Sequence, residues 1–295
     1  MNLIAGATGT VGGEICRLLL EQRKAVRALV RETSNPEKIA RLTGLGAEVV
    51  LGDLKDPASL EAACRGVRAV VSTVSSTLSR QEGDSIESVD RQGQLNLIDA
   101  AEAAGVEQFV LISFPRVDID FPLQSAKRAA EDRLRKGQMK YTILQPTCFT
   151  EVWLSPALGF DPAHGTARIY GGGDNKISWI SFQDVAKFAG AALDNPRAAN
   201  AVIKLGGPDA LSPLDVVRLV EQVAGKTVVV EHVPEEALRA QHEAATDSLQ
   251  QSFAALMLYY ARGDAIDMTE TLRALPVQHL VSVHEYLQSY LLSQV

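Results

Sequence analysis

An α/β fold built on a doubly wound parallel sheet is predicted by three features of the first 145 residues. Short β-branched runs alternate with amphipathic stretches, the runs are apolar almost throughout, and caps and turns separate them. Strands apolar on both faces belong to a parallel sheet covered by helices on both sides. A chain of 295 residues makes one large domain or two moderate ones. It can bury roughly three quarters of its unfolded surface and needs no staples.

The expected strands lie at 2–5, 25–30, 48–51, 69–73, 108–113 and 141–144. After the first, Val11, Ile15, Leu18, Leu19 and Gln22 follow the spacing of one helix face. Asp56-Pro57 reads as an N-cap with proline at the first helical position. Helices are expected over 89–104, stopped by Gly105, and over 121–136, stopped by Gly137. The pattern changes after Pro146. Residues 147–173 read as irregular structure above the sheet, and Ser181 then caps a helix whose first turn carries Asp184. A further strand at 201–205 precedes Gly206-Gly207-Pro208, and the rest is mostly helical apart from a β-rich piece at 227–233. Two units are expected: 1–146 with about 181–207 as a dinucleotide-binding domain, and about 147–180 with 208–295 as a smaller, mostly helical substrate lobe.

Composition removes several function classes. Net charge is −7, which argues against direct nucleic-acid binding, and only 5% aromatics leaves few platforms for base stacking. The three cysteines, Cys16, Cys64 and Cys148, are far apart. They give no disulfide framework and no Cys-based zinc site, and they fit a reducing, cytoplasmic setting. His164, His232, His242, His279 and His284 show no ligand spacing, so no metal is expected. Gly6 follows Met1 too closely for a secretory leader to be expected. The longest apolar run, 253–261, is too short for a membrane span.

The strongest chemical signal is Gly6-Ala7-Thr8-Gly9-Thr10-Val11-Gly12, directly after a strand and opening a helix. In that context glycines let the backbone turn with positive φ and approach a pyrophosphate, and the helix N-terminus offers free N–H groups to it. A Gly-rich turn without a ligand is the plainer alternative. The second strand ends at Arg31, where NAD binders place an acid about 20 residues past the glycines. A guanidinium there suits a 2′-phosphate, so NADP(H) is favoured over NAD(H). A solvated surface arginine is the alternative. Asp53, followed by Leu54, sits at the third strand's end. It is either an acceptor for an adenine amino group or a turn residue.

These segments, with others, resemble the NmrA-like family of atypical short-chain dehydrogenase/reductases. The resemblance is carried by GATGTVGG, VRALVR, GDLKDPASL, FVLISF, AKRAAEDRLRKGQMKYTILQPTCF, ISWISFQDVAKFA and VSVHEYLQSYL, spread over nearly the whole chain. It implies a Rossmann-type sheet, a nicotinamide cofactor and a small substrate lobe. The family includes quinone, dye and phenylpropanoid reductases, and also cofactor-binding regulators and assembly factors. The implied reaction is therefore NADP(H)-dependent reduction of a small quinone- or enone-type molecule. The alternative is a redox sensor, regulator or assembly factor that works through a protein partner.

By the same resemblance Lys127 matches the lysine of a Tyr-x-x-x-Lys pair, but the tyrosine position holds Leu123. Lys127 is then a proton donor or a ribose anchor; a surface lysine paired with Glu131 is the alternative. Pro146, Thr147 and Phe149 fall at the nicotinamide face, and Thr73 and Ser75 border the cofactor ribose. Ser113 loosely matches a catalytic serine, with an end-of-strand hydroxyl equally open. Cys148 reads as a packed cysteine rather than a nucleophile. Core packing is also the expected role of Trp153, Tyr170 and Trp179.

Overall fold

The computed structural model describes residues 1–78 and 80–293. Ser79 and the last two positions of the expected second lobe, 294 and 295, lie outside the described residues.

The first half alternates strand and helix in chain order: β1 (Asn2–Ala5), α1 (Thr10–Glu21), β2 (Val26–Val30), α2 (Pro36–Gly44), β3 (Glu48–Leu51), α3 (Pro57–Cys64) and β4 (Ala69–Ser72). Asp56 caps α3 by accepting from the Ala58 amide, with Pro57 at the first helical position, as the sequence predicted. The buried face of α1 is Gly12, Ile15, Cys16 and Leu19, turned slightly from the expected stripe. Val11 and Leu18 are only half-buried, because the helix packs its glycine side against the loop before it. The helix expected over 89–104 begins earlier and in a wider winding. Ile86–Gly93 is π-helical and passes into α4 (Gln94–Ala103). Then come β5 (Gln108–Ile112), α5 (Pro122–Lys136) and β6 (Lys140–Pro146).

Beyond Pro146 the chain forms α6 (Thr150–Trp153), β7 (Phe160–Asp161), β8 (Thr166–Tyr170) and β9 (Ile177–Ser178), so the stretch is more ordered than the sequence suggested. It returns to the sheet through α7 (Phe182–Ala192) and β10 (Ala201–Leu205), continues with β11 (Ala210–Leu211), α8 (Pro213–Ala224) and β12 (Val229–Val233), and closes with α9 (Glu235–Ala244), α10 (Ser248–Arg262), α11 (Thr269–Ala274) and α12 (Val283–Leu292). Ser181 caps α7 by accepting from Gln183 N. Asp184, expected to serve the helix dipole, is buried. It accepts from Lys187 Nζ at 2.8 Å and from Val281 N at 2.7 Å, which pins the C-terminal segment to α7.

Seven parallel strands make the central sheet in the order β10-β6-β5-β4-β1-β2-β3. The chain crosses one way from β1 to β2 and the other way to β4, the switch point outside which such sheets bind ligands. One apolar core fills the face under α1 and α7, including Ile15, Leu19, Val185 and Phe188. Another fills the opposite face, including Leu60, Leu97, Phe109 and Leu134. A third lies among the later elements, around Trp179, Tyr260, Val216 and Leu287. No helix of the described residues is long and apolar enough to cross a membrane.

Candidate active site

The glycine loop sits at the switch point. Gly6 has φ +83°, and a Cβ there would lie 2.5 Å from Thr73 Oγ1 at the end of β4. Thr73 Oγ1 in turn donates to the Ala5 carbonyl at 3.2 Å. A Cβ on Gly12 would lie 2.2 Å from the Gly6 carbonyl oxygen, so this glycine permits the close approach of α1 to its own loop. Gly9 is the N-cap of α1 and offers no side chain to cap it. The first-turn amides therefore keep their donors for an anion, and the positive end of the helix dipole lies behind them. A loop shaped this way fits a dinucleotide pyrophosphate.

A single cleft of about 680 Å³ runs from this loop across the ends of the strands into the later elements. Its walls include Gly6, Thr8, Gly9, Thr10 and Val11 from the loop, and Arg31, Asp53 and Leu54 from the ends of β2 and β3. Thr73, Ser75, Lys127, Pro146, Thr147 and Phe149 line its middle. Gly12 alone among the predicted site residues lies off the wall, because its task is helix packing.

Arg31 is not simply solvated. Its Nη1 donates to Asp84 Oδ2 at 2.7 Å, and Lys55 Nζ holds Asp84 Oδ1 at 2.7 Å. The Asp84 side chain is only 1% exposed. Burial pushes its carboxyl up, but Lys55, Arg31 and the Gln81 amide outweigh that and hold it below the ordinary value. Ser34, Asn35 and Lys38 complete this end of the cleft. Asp53 makes a turn, accepting from the Lys55 amide at 2.8 Å, while its side chain stays on the cleft wall. Ser75 pairs with Thr77, Oγ to Oγ1, at 3.1 Å.

Lys127 is 5% exposed, which rules out the surface pairing with Glu131. Its Nζ donates to the Val74 carbonyl at 3.0 Å and lies 3.5 Å from Asp90 Oδ1. Glu131 instead belongs to a buried network: Ser113 Oγ donates to it at 2.7 Å and Gln145 at 3.1 Å, and the Arg128 guanidinium is ion-paired with it at 2.9 Å. Ser113, at the end of β5, lines the cleft with its hydroxyl donated to Glu131 and accepting from Arg128. The Thr147 amide is committed to the Leu205 carbonyl at 2.9 Å and its hydroxyl to the Ser178 carbonyl. Phe149 packs on Phe182 with ring centres 4.5 Å apart. Cys148 is buried and burial pushes its thiol well above the ordinary value, in keeping with a packed cysteine. Trp179 and Tyr170 are core residues, whereas Trp153 also reaches the cleft wall.

The sequence reading missed Asp84, Asp90, Phe114 and the α10 residues Phe253, Leu256, Met257 and Tyr259, all but Asp90 on the cleft wall. For α10 a signal existed. Its run from Phe253 to Ala261 is apolar on every side, which means a helix buried on more than one face. Ala254, Ala255 and Leu258 face cores while Phe253 and Met257 face the cleft. Asp84 and Asp90 carried no local signal, since their partners are 53 and 37 positions away (84 to 31; 127 to 90).

The fold and this cleft define a nucleotide-binding protein with an attached apolar chamber. The chain belongs to the NmrA-like family, whose model matches residues 2–287. It is 32% identical over 238 residues to the photosystem II assembly factor Ycf39 of Trieres chinensis, covering 79% of this chain and 72% of that one. It is also 32% identical over 231 residues to the NAD(P)H azoreductase of Xenophilus azovorans, covering 77% and 75%. The NADPH complex of the Escherichia coli quinone oxidoreductase QOR2 superposes with TM-score 0.80 at 24% identity, over 98% of this chain and 99% of that one.

Proposed function

We propose that this protein is an NADP(H)-dependent reductase acting on a small apolar or aromatic acceptor of the quinone or enone class. One observation carries the reading: the cleft does not end at Lys127 and Pro146, which on this reading face the nicotinamide. It continues into a chamber walled by Phe114, Phe149, Trp153, Phe182, Phe253 and Met257, the apolar lining with few polar groups expected of a small-molecule site. On this reading 1–146 with 181–207 hold the cofactor, and 147–180 with 208–295 shape the substrate end.

Bound NADPH supplies a hydride to the acceptor. The chain binds the pyrophosphate at the α1 amides and the 2′-phosphate at Arg31, with Lys38 nearby. Phe149 and Thr147 orient the ring, and the apolar walls exclude water. Lys127 either gives one proton to the oxygen that gains charge, replaced afterwards from water, or anchors the ribose. The names of the azoreductase and quinone oxidoreductase relatives support the class of reaction. Three buried, free cysteines support a reducing cytoplasmic setting.

The test is NADPH oxidation across a panel of quinones, enones and azo dyes, with binding followed separately by fluorescence. Turnover that falls at least tenfold in Lys127→Met is expected. Tight NADPH binding with no turnover on any compound overturns the enzyme reading in favour of a cofactor-bound partner protein, the role named for the Trieres chinensis relative.

A further inference from the structure

Asp90 is fully buried in the π-helical turn Ile86–Gly93. Such turns interrupt helices in short pieces, often at functional sites. Ser85 and Ser88 cap the segment reciprocally. Gly93 closes it where a Cβ would lie 2.8 Å from Leu54 Cβ and 3.0 Å from the Ser88 carbonyl oxygen. The segment is therefore pressed against the β3 turn, and its wide winding delivers a carboxylate toward α5. Asp90 Oδ2 is held twice, by Ser76 N at 2.9 Å and Ser76 Oγ at 2.6 Å. Oδ1 has no hydrogen-bond partner among the described residues, and it points at Lys127 Nζ, 3.5 Å away.

A buried carboxylate with one oxygen fixed and the other unpaired is expensive to keep unless it serves the cation in front of it. Among the described residues Lys127 is otherwise tethered only by the Val74 carbonyl, on the same loop that carries Ser76. Lysine is a point charge on a flexible stem, so its ammonium goes where its acceptors put it. The Val74 carbonyl takes a hydrogen bond from the ammonium, and Asp90 Oδ1, 3.5 Å away, attracts it as a charge, while Lys127 itself lines the cleft.

We propose that Asp90 is a positioning residue for Lys127, fixing the ammonium on the cleft wall at the height of the nicotinamide ribose. The inference rests on the reductase reading above and deepens it. Asp90 does not line the cleft, so its removal is expected to act through Lys127.

A double-mutant cycle tests this. Asp90→Asn is made in the wild-type chain and in Lys127→Met, and each protein is measured for kcat, KM of a turned-over quinone, and NADPH affinity. In the wild-type background we expect kcat to fall on the order of 10–100-fold, the scale of a misplaced catalytic group, with KM changed less than about threefold. In the Lys127→Met background the same substitution should change kcat less than about twofold. Equal losses in both backgrounds overturn the proposal and make Asp90 a structural residue. Ser76→Ala, which removes one donor to Asp90 without stranding a charge, is the second variant if Asp90→Asn does not fold; it should show the same background dependence, and its absence has the same meaning. If no quinone is turned over while NADPH binds, the cycle is run on NADPH affinity. Coupling there sustains the positioning role although the reductase reading has failed, and additive losses overturn it. No NADPH binding at all overturns both.

Discussion

Arg31→Ala removes the cation proposed to select NADPH, and the structure sets the size of the effect. The guanidinium spends Nη1 on Asp84 at 2.7 Å, leaving Nε and Nη2 for a phosphate. A hydrogen bond to a charged group contributes about 1.5–3 kcal/mol, which is roughly a 10- to 100-fold change in affinity. The side chain is 27% exposed, so solvent screening favours the lower end. Lys38 and Lys55 remain nearby and keep binding from vanishing. NADPH should therefore weaken about tenfold or somewhat more, and NADH, which has no 2′-phosphate, by less than about threefold. Arg31→Lys should fall between, since it keeps the charge but loses the planar fork. Fluorescence titration with both nucleotides at fixed ionic strength measures it. Equal loss for the two nucleotides, or equal affinities in the unmodified chain, refutes the assignment of Arg31 to the 2′-phosphate.

Other consequences are independent of that one. Gly12→Ala places a methyl 2.2 Å from the Gly6 carbonyl oxygen, and should destabilise the chain by about 1–3 kcal/mol in urea unfolding while also lowering nucleotide affinity. Glu151, which accepts from Ser181 Oγ and the Phe182 amide at the start of α7, has its carboxyl raised above 4.5, chiefly by burial, against those hydrogen bonds and with Asp184 adding to the rise. A raised folded value means that its stabilising contribution is present below pH 4.5 and is lost as pH rises through the folded value. Glu151→Gln should accordingly flatten the decline of melting temperature on the alkaline side of that point. A melting profile as steep as the wild type's would count against it. Cys148→Ala should leave turnover within about threefold, because a thiol pushed up by burial is not a thiolate at neutral pH; a loss of a hundredfold would restore it as a nucleophile.

The legible part of the molecule was the part built from neighbours in sequence. The glycine loop, the Asp56-Pro57 cap and the Ser181 cap are local devices, and each forms as its residues dictate. The π-wound start of the helix at Ile86 was hidden, and it ends at Gly93, which packs on Leu54 far back in the chain. The pairing of β8 with β12 joins Thr166–Tyr170 to Val229–Val233, and neither run shows its partner locally. Arg31 announced itself by position, but Asp84, the residue that fixes it, lies in a loop with no periodicity to read. The same is true of Lys127 and Asp90: the motif gave the lysine, and only the fold brought the carboxylate to it.

On the proposed reductase reading, leucine at position 123 leaves the proton to be supplied by another group of the cleft. Leu123 is packed with Phe121, Ala126 and Ala255, and its amide donates to Ser252 Oγ on α10, so the place of the usual phenol is filled by apolar contact. Each nearby hydroxyl on the strand ends is already engaged among the described residues. Ser113 is bound to Glu131, Thr147 to the Ser178 carbonyl, and Thr73 to the Ala5 carbonyl. Tyr259 reaches the cleft but donates to Asp264, and burial together with Cys148 and Asp264 pushes its phenol up, making it a poorer acid. What remains is the Lys127 ammonium on the cleft wall, hydrogen-bonded to the Val74 carbonyl and 3.5 Å from the Asp90 carboxylate. Tyr259→Phe should therefore retain most of the turnover that Lys127→Met loses, and the reverse ranking in a steady-state comparison would move the proton source to α10.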